Sequence, residues 1–125
     1  MVKHNEMAMQ TLSDLPTNMP VVRVEIDYDY MSRRVGKTVY AWGSNGWQEV
    51  SSAVFLYDAW NLISEQTHKQ TSAETNFFTF GLDLSGTLQG AGGIGGLVSA
   101  VLGTNSVCYT YDGNGNVSEL INCAG

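Results

Sequence analysis

The chain has 125 residues, a formal net charge of −6 and a sequence pI near 4.6. Hydrophobic residues make up 43% of it, enough for one packed domain, whereas charged residues make up only 14%, below the roughly 25% of an ordinary soluble domain. This acidic balance argues against a nucleic-acid partner, because binding a phosphate backbone requires a basic face.

Residues 1–20 form a predicted N-terminal segment that is only partly ordered. The segment holds scattered polar residues, methionine and proline, without the charged start and apolar core of a secretory signal. The only basic cluster follows at Arg33, Arg34 and Lys37. Three positive charges in an acidic chain are typical of a solvated strand face, so we do not interpret the cluster as a binding patch.

Residues 21–125 contain an internal repeat marked by aspartate. Tyr-Asp pairs end in Asp29, Asp58 and Asp112, and a degenerate copy surrounds Asp83. Each mark follows an alternating or apolar segment and precedes turn-forming residues; the preceding segments are VVRVEIDY, SAVFLY, NFFTF and SVCYTY. The pattern predicts an all-β fold of consecutive antiparallel hairpins, with about eight or nine strands joined in sequence order.

The spacing also predicts where individual strands and turns lie. Turns are expected at GSNG, residues 43–46, and at GTN, residues 103–105. Between them, the polar segment 67–76 is expected to be an exposed loop. Extended backbone is predicted for 97–102, with an antiparallel return through 108–111.

A glycine-rich motif lies between the third and fourth marks. Gly90, Gly92 and Gly95 satisfy G-x-G-x-x-G, the pattern of a dinucleotide-binding turn. Such a site needs a long crossover helix, and only residues 97–102 precede the next turn signal, too few for that crossover. We therefore expect a charge-free strand and bend, and we keep a dinucleotide-binding enzyme fragment as the least favoured alternative. The apolar run in this region is also too short to span a membrane.

No catalytic, cofactor-binding or metal-binding residue is predicted. The start of DGNGNVSEL resembles a calcium loop at Asp112, Asn114 and Asn116, but the glycine and glutamate that complete such a loop are missing, so we expect a tight Asn-Gly turn. Cys108 and Cys123 lack zinc-site spacing. They could form a disulfide between adjacent strands, although we favour two buried free thiols.

Four segments in order carry a resemblance: YDYMSRRVGKTVY, YDAWNLISE, FGLDLSGTLQGAGGIGG and YTYDGNGNVSELIN. From about Met9 to Gly125 the chain resembles Rhs/YD-repeat proteins of bacteria. One departure is that Ser32 and Ala59 stand in turns where glycine would be commoner. The residues that match the structural repeat are Tyr28, Asp29, Tyr57, Asp58, Asp83, Tyr111, Asp112, Gly113, Gly115 and Asn116.

The resemblance implies a long β-sheet that spirals into a shell around a C-terminal toxin, as in Rhs-type polymorphic toxins, insecticidal toxin complexes and the related teneurins. It also implies a secreted or cell-surface location, with further YD repeats and an enclosed toxin domain as partners. The self-cleaving core that releases the toxin in many members has no counterpart here, so no cleavage residue is transferred to this chain.

Our leading hypothesis is a structural shell module without chemistry of its own. Because flanking strands of such a wall pair with further repeats, we expect the chain alone to be marginally stable or self-associating. The alternative is a carbohydrate- or protein-binding surface module that uses exposed aromatic rings, with Trp42, Trp47 and Trp60 as the candidates.

Overall fold

The computed structural model describes residues 3–7 and 20–123, and these residues form β-strands joined by turns and loops without a helix. The strands are β1 (Lys3–Met7), β2 (Val22–Tyr28), β3 (Arg34–Gly43), β4 (Gly46–Asp58), β5 (Asn61–Lys69), β6 (Ser72–Phe80), β7 (Leu97–Leu102), β8 (Asn105–Tyr111) and β9 (Val117–Asn122). They follow chain order in one sheet. The predicted all-β architecture of consecutive hairpins is confirmed, and the described ranges hold no helix able to cross a membrane.

The strands belong to two compact units, of which the first comprises Met1–Phe55 and Gln66–Ala73. In this unit β1 pairs with β2, β2 with β3 and β3 with β4, all antiparallel. Ile26 of β2 and Phe55 of β4 are buried, and the guanidinium of Arg34 lies 4.6 Å from the centre of the Phe55 ring. The cation therefore covers an aromatic ring that would otherwise contact water.

The second unit comprises Leu56–Glu65 and Glu74–Gly125. Here β6, β7, β8 and β9 form an antiparallel series in which each strand pairs with the next. Ala100, in the middle of β7, is the most buried hydrophobic residue, with 1% of its surface exposed. The turn between β7 and β8 contains Gly103 with φ of 61°, a left-handed conformation that costs glycine little. The strand β7, the turn after it and the antiparallel return in β8 confirm the prediction for residues 97–111.

The predictions for residues 67–76 and for residues 1–20 have different outcomes. The loop predicted at 67–76 is wrong, because β5 extends to Lys69 and β6 begins at Ser72, leaving only residues 70 and 71 as a turn. The side chains around this turn are polar and exposed, so they carry no hydrophobic alternation from which a strand could be predicted. Within the N-terminal segment, Lys3–Met7 forms β1 against β2, and residues 1–2 and 8–19 lie outside the described residues.

Candidate functional site

One turn conformation recurs at three of the four aspartate marks. In each, the backbone N–H of the aspartate donates to the carbonyl of the residue four positions later, and the N–H three positions later donates back to the aspartate carbonyl. The donor–acceptor distances are 3.0 and 3.0 Å at Asp29, 2.7 and 2.9 Å at Asp83, and 3.0 and 3.0 Å at Asp112. Three segments of different sequence therefore form the same turn with the same backbone bonds.

The aspartate side chain stabilises the turn in the same way each time. Its Oδ1 accepts the N–H of the residue two positions later, at 2.9 Å in all three turns; the donors are Met31, Ser85 and Asn114. The residue three positions after the aspartate has a positive φ: 63° at Ser32, 74° at Gly86 and 81° at Gly115. Ser32 thus occupies a left-handed position normally taken by glycine, which gives a structural meaning to its departure from the repeat pattern.

The fourth mark, Asp58, lies in a shorter hairpin. It is the last residue of β4, and β5 begins three positions later at Asn61, after the two-residue turn Ala59–Trp60. The positive φ of 49° falls at Ala59, directly after the aspartate. This loop has two residues, whereas the loops that contain Asp29 and Asp112 have five each, 29–33 and 112–116. The shorter loop reverses the chain through a different turn, so the sequence repeat is not a uniform structural repeat.

The tyrosines before Asp29 and Asp112 lie at equivalent points of their strands. Tyr28 ends β2 and Tyr111 ends β8, and each follows a register shift in the pairing with the next strand. The hydroxyl of Tyr111 donates to the carbonyl of Leu97 at 2.6 Å, and burial raises the pKa of this phenol. This hydrogen bond connects the end of β8 to the first residue of β7, beside the glycine-rich loop.

Asp83 binds the glycine-rich loop with its second carboxylate oxygen. The side chain is buried, with 6% exposure, and its Oδ2 accepts the backbone N–H groups of Ala91 at 2.7 Å and Gly93 at 3.2 Å. Its Oδ1 accepts both the hydroxyl and the N–H of Ser85, at 2.5 and 2.9 Å. The Ser85 hydroxyl foremost, together with these backbone donors, lowers the pKa of Asp83 to about 2.

The G-x-G-x-x-G segment is therefore an anion-binding loop whose anion belongs to the same chain. Gly92, with a positive φ of 67°, lies between Ala91 and Gly93, whose N–H groups point toward the same oxygen, as in backbone nests that bind phosphates. Here the Asp83 carboxylate occupies that point. Residues 97–102, where a dinucleotide fold requires a helix, form β7. The glycine-rich segment before them lies in turns and not in a strand, so of the predicted strand and bend only the bend is confirmed. Sequence reasoning did not identify Ala91 and Gly93 as partners of Asp83.

The calcium-like residues are bonded to one another as a turn. Oδ1 of Asp112 accepts the N–H groups of Asn114 and Asn116, and its Oδ2 accepts the side-chain amide of Asn116 at 3.0 Å. The Asn116 amide is the main cause that lowers the pKa of Asp112. Within residues 20–123, no three His, Cys, Asp or Glu side chains are grouped so that they could hold a metal ion.

Cys108 and Cys123 form a disulfide with an S–S distance of 2.05 Å, so the favoured prediction of two buried free thiols is wrong. Cys108 pairs with Ile121 across β8 and β9, while the N–H of Cys123 donates to the carbonyl of Ser106. This register places the cysteines diagonally on one face, with Cα atoms 6.0 Å apart, within the range that a disulfide spans. The turn at Asp112 sets this register.

A cluster of aromatic rings surrounds an arginine in the first unit. The guanidinium of Arg23 lies 4.7 Å from the Tyr40 ring centre and 5.5 Å from that of Trp47. Trp42 and Trp47 form an edge-to-face pair, with ring centres 5.3 Å apart. Trp60 lies in the turn after β4, within the second unit. The three tryptophans proposed from the sequence as one set therefore divide into a pair and a separate residue.

The sequence predicted that Arg33, Arg34 and Lys37 form a solvated strand face, but two of these side chains make contacts within the protein. Arg33 forms an ion pair with Asp29, with an Nη2–Oδ2 distance of 2.7 Å, and Arg34 covers the Phe55 ring. Both side chains therefore have structural roles within the first unit.

In comparisons with known proteins, the chain matches no family model, no curated protein and no solved structure.

Proposed function

We propose that this chain is a structural module of an Rhs/YD-repeat wall, part of a β-cage that encapsulates a C-terminal toxin or effector. The observation that carries the proposal is the recurrence of one aspartate turn at Asp29, Asp83 and Asp112 with the same backbone and side-chain bonds. Repetition at this level is expected of a protein that builds a long sheet from similar units.

The bonding of the three carboxylates supports a structural role for them. Burial opposes ionisation of Asp29, but backbone and side-chain hydrogen bonds from Arg33 outweigh it and lower the pKa of the carboxyl. The pKa values of Asp83 and Asp112 are lowered as well. All three are therefore ionised at neutral pH, and their oxygens accept from donors of their own turns and, for Asp83, also from the glycine-rich loop. Such groups hold hairpins together and are poorly placed to act as general bases.

The exposed edge of the last strand, β9, is a second and independent observation that supports the wall proposal. β9 is the final strand in the sheet order, and all six of its residues are exposed. Its apolar side chains Val117, Leu120 and Ile121 are about half exposed, and Glu119 is its only charged residue. Edge strands of monomeric proteins are usually protected by lysine, proline or a covering element. Among the described residues, no lysine, proline or covering element protects β9, so this edge is suited to pairing with a further strand, here another YD repeat.

The disulfide supports a secreted or cell-surface location as part of the same proposal. Disulfides persist in oxidising compartments and are rare in reducing ones. Cys123 is exposed, so a reducing environment would have direct access to the bond.

The test is self-association through the β9 edge. We expect sedimentation velocity to show a concentration-dependent increase in mass, because copies of the chain offer each other the only strands available in the sample. Leu120→Lys places a charge on the edge and removes an exposed leucine that would be buried on pairing. Burial of such a side chain stabilises the paired state by about 1.5–3 kcal/mol, so the association constant of the variant should be lower by about tenfold or more.

Leu88→Lys is the matched control for this test. Leu88 is 61% exposed and Leu120 60% exposed, but Leu88 lies in the loop between β6 and β7. The control should self-associate like the unmodified chain. A monomer at every concentration, or an equal loss of association in both variants, would contradict the edge-pairing wall module.

A further inference from the structure

The first unit carries an aromatic surface that the wall proposal does not use. We define the aromatic platform as Arg23, Tyr40, Trp42 and Trp47. Strand pairing sets Tyr40 beside Arg23 on one side and opposite Glu49 on the other, and it sets Trp42 opposite Trp47. Because Tyr40 and Trp42 are two positions apart on β3, their side chains project from the same face of the sheet.

The platform is held in place by its own contacts. The Arg23 guanidinium lies over the Tyr40 and Trp47 rings and forms an ion pair with Glu25. Trp47 meets Trp42 edge to face, which fixes the orientation of both rings. Trp42 nevertheless remains 45% exposed. A large ring that is fixed by neighbours and open to solvent loses little conformational entropy when a ligand stacks on it.

The charges around the platform determine which ligand chemistry it fits. One guanidinium is accompanied by two carboxylates, Glu25 and Glu49, and burial together with these carboxylates raises the pKa of the Tyr40 hydroxyl. The chain as a whole carries a net charge of −6. An anionic ligand would be repelled. Arg23, which lies over the Tyr40 and Trp47 rings, places a positive charge beside the exposed Trp42 ring and so disfavours a cationic ligand there. What remains for a ligand is the exposed ring of Trp42, flanked by hydrogen-bond acceptors.

We propose that the aromatic platform is a binding site for a neutral saccharide, whose sugar ring stacks on Trp42 while the exposed Glu49 carboxylate accepts hydrogen bonds from its hydroxyls. A sugar ring has an apolar face and a rim of hydroxyl donors, which matches the combination of aromatic surface and convergent polar groups found at small-ligand sites. The platform belongs to β2, β3 and β4 alone, so the proposal does not depend on the wall function.

The experiment is a titration of the full chain with neutral hexasaccharides of glucose, mannose and N-acetylglucosamine, with a heparin hexasaccharide as the anionic probe. Binding is followed by tryptophan fluorescence and isothermal calorimetry. We expect saturable binding of at least one neutral probe and weaker or no binding of heparin. Trp42→Ala should reduce the affinity by about tenfold or more, the loss expected when a stacking ring is removed.

Three variants make the test specific. Trp60→Ala removes an even more exposed tryptophan, 58% against 45%, from outside the platform and should leave the affinity unchanged. Trp42→Phe retains a ring against Trp47 and should bind with intermediate affinity, which keeps the test decisive even if Trp42→Ala unfolds. Glu49→Gln, on the exposed rim, should weaken binding by a smaller factor.

Several results would overturn the saccharide site. They are no binding of any neutral probe, tighter binding of heparin, or equal losses in Trp42→Ala and Trp60→Ala. Leu120→Lys, which tests the wall edge, should leave saccharide affinity unchanged, so failure of one proposal can be distinguished from failure of the other.

Discussion

Removal of the disulfide between Cys108 and Cys123 should destabilise the protein by a predictable amount. The two cysteines are 15 positions apart, and in the chain-entropy model the closure of a loop of this length contributes about 3 kcal/mol. An unfolding entropy of about 2.1 cal/mol/K per residue over 125 residues converts this to a melting temperature lower by about 11 °C. The expectation applies to the double variant Cys108→Ser/Cys123→Ser and to the reduced unmodified chain.

The loss should appear first at β9. All six residues of this strand are exposed, so its packing against the rest of the protein buries little apolar surface and the disulfide is a main constraint on it. Backbone amides of β9 should therefore exchange with solvent faster after reduction, whereas those of β7 around the buried Ala100 should change less. A uniform acceleration over both strands would indicate that the disulfide stabilises the whole unit.

Differential scanning calorimetry at pH 7, with and without a phosphine reductant, provides the measurement. Mass spectrometry of the alkylated protein establishes that the disulfide is present before reduction. The double serine variant is the control, because the reductant should not change its melting temperature. A difference below about 2 °C between the oxidised and reduced chain would refute the reasoning, since that corresponds to well under 1 kcal/mol for a protein of this size.

Two further predictions concern the turns. The folded-state pKa of Asp83 is about 2, below its usual value of 3.8, so the stability that its carboxylate contributes is fully present above about pH 4 and is lost as the pH falls through 2. Urea midpoints measured from pH 5 to 2 should therefore decline less steeply in Asp83→Asn than in the unmodified chain. Equal slopes would contradict the role of the carboxylate. At Gly115, φ is 81° and an added Cβ would lie 2.6 Å from Leu84 Cδ1 and 2.7 Å from Ile94 Cγ2. Gly115→Ala should therefore lower the free energy of unfolding, measured with urea, by about 1–3 kcal/mol. Gly113→Ala, where a Cβ would have open space, should change stability by less than about 0.5 kcal/mol, and similar losses in both variants would show that neither the backbone conformation nor the contact matters.

The glycine-rich loop shows how a local motif acquires a different meaning in a fold. GAGGIGG has the composition of a phosphate-binding turn, and its backbone does converge N–H groups on an oxygen anion. The anion is the carboxylate of Asp83, placed before the loop by the end of β6. The sequence analysis rejected a phosphate site here and expected a charge-free strand and bend, so the binding of an anion by this backbone was not predicted.

Local order along the chain was predictable from the sequence. Period-two alternation and clusters of Gly, Asn, Ser and Asp depend on neighbouring residues alone, so the all-β class, the hairpin order and the limits of β7 at Leu97 and Leu102 followed from them. The polar hairpin around residues 70 and 71 did not, because strands with exposed polar side chains on both faces lack that alternation.

Pairing between distant residues was decided only by the tertiary structure. The contact of Asp83 with Ala91 and Gly93, the Cys108–Cys123 disulfide and the position of Arg23 over the Tyr40 and Trp47 rings all depend on strand register and loop closure. A shift of one residue in register would turn the partner side chains to the opposite face of the sheet. Apart from the polar hairpin around residues 70 and 71, the sequence determined which segments are strands and where they turn. The register of those strands determined which side chains meet.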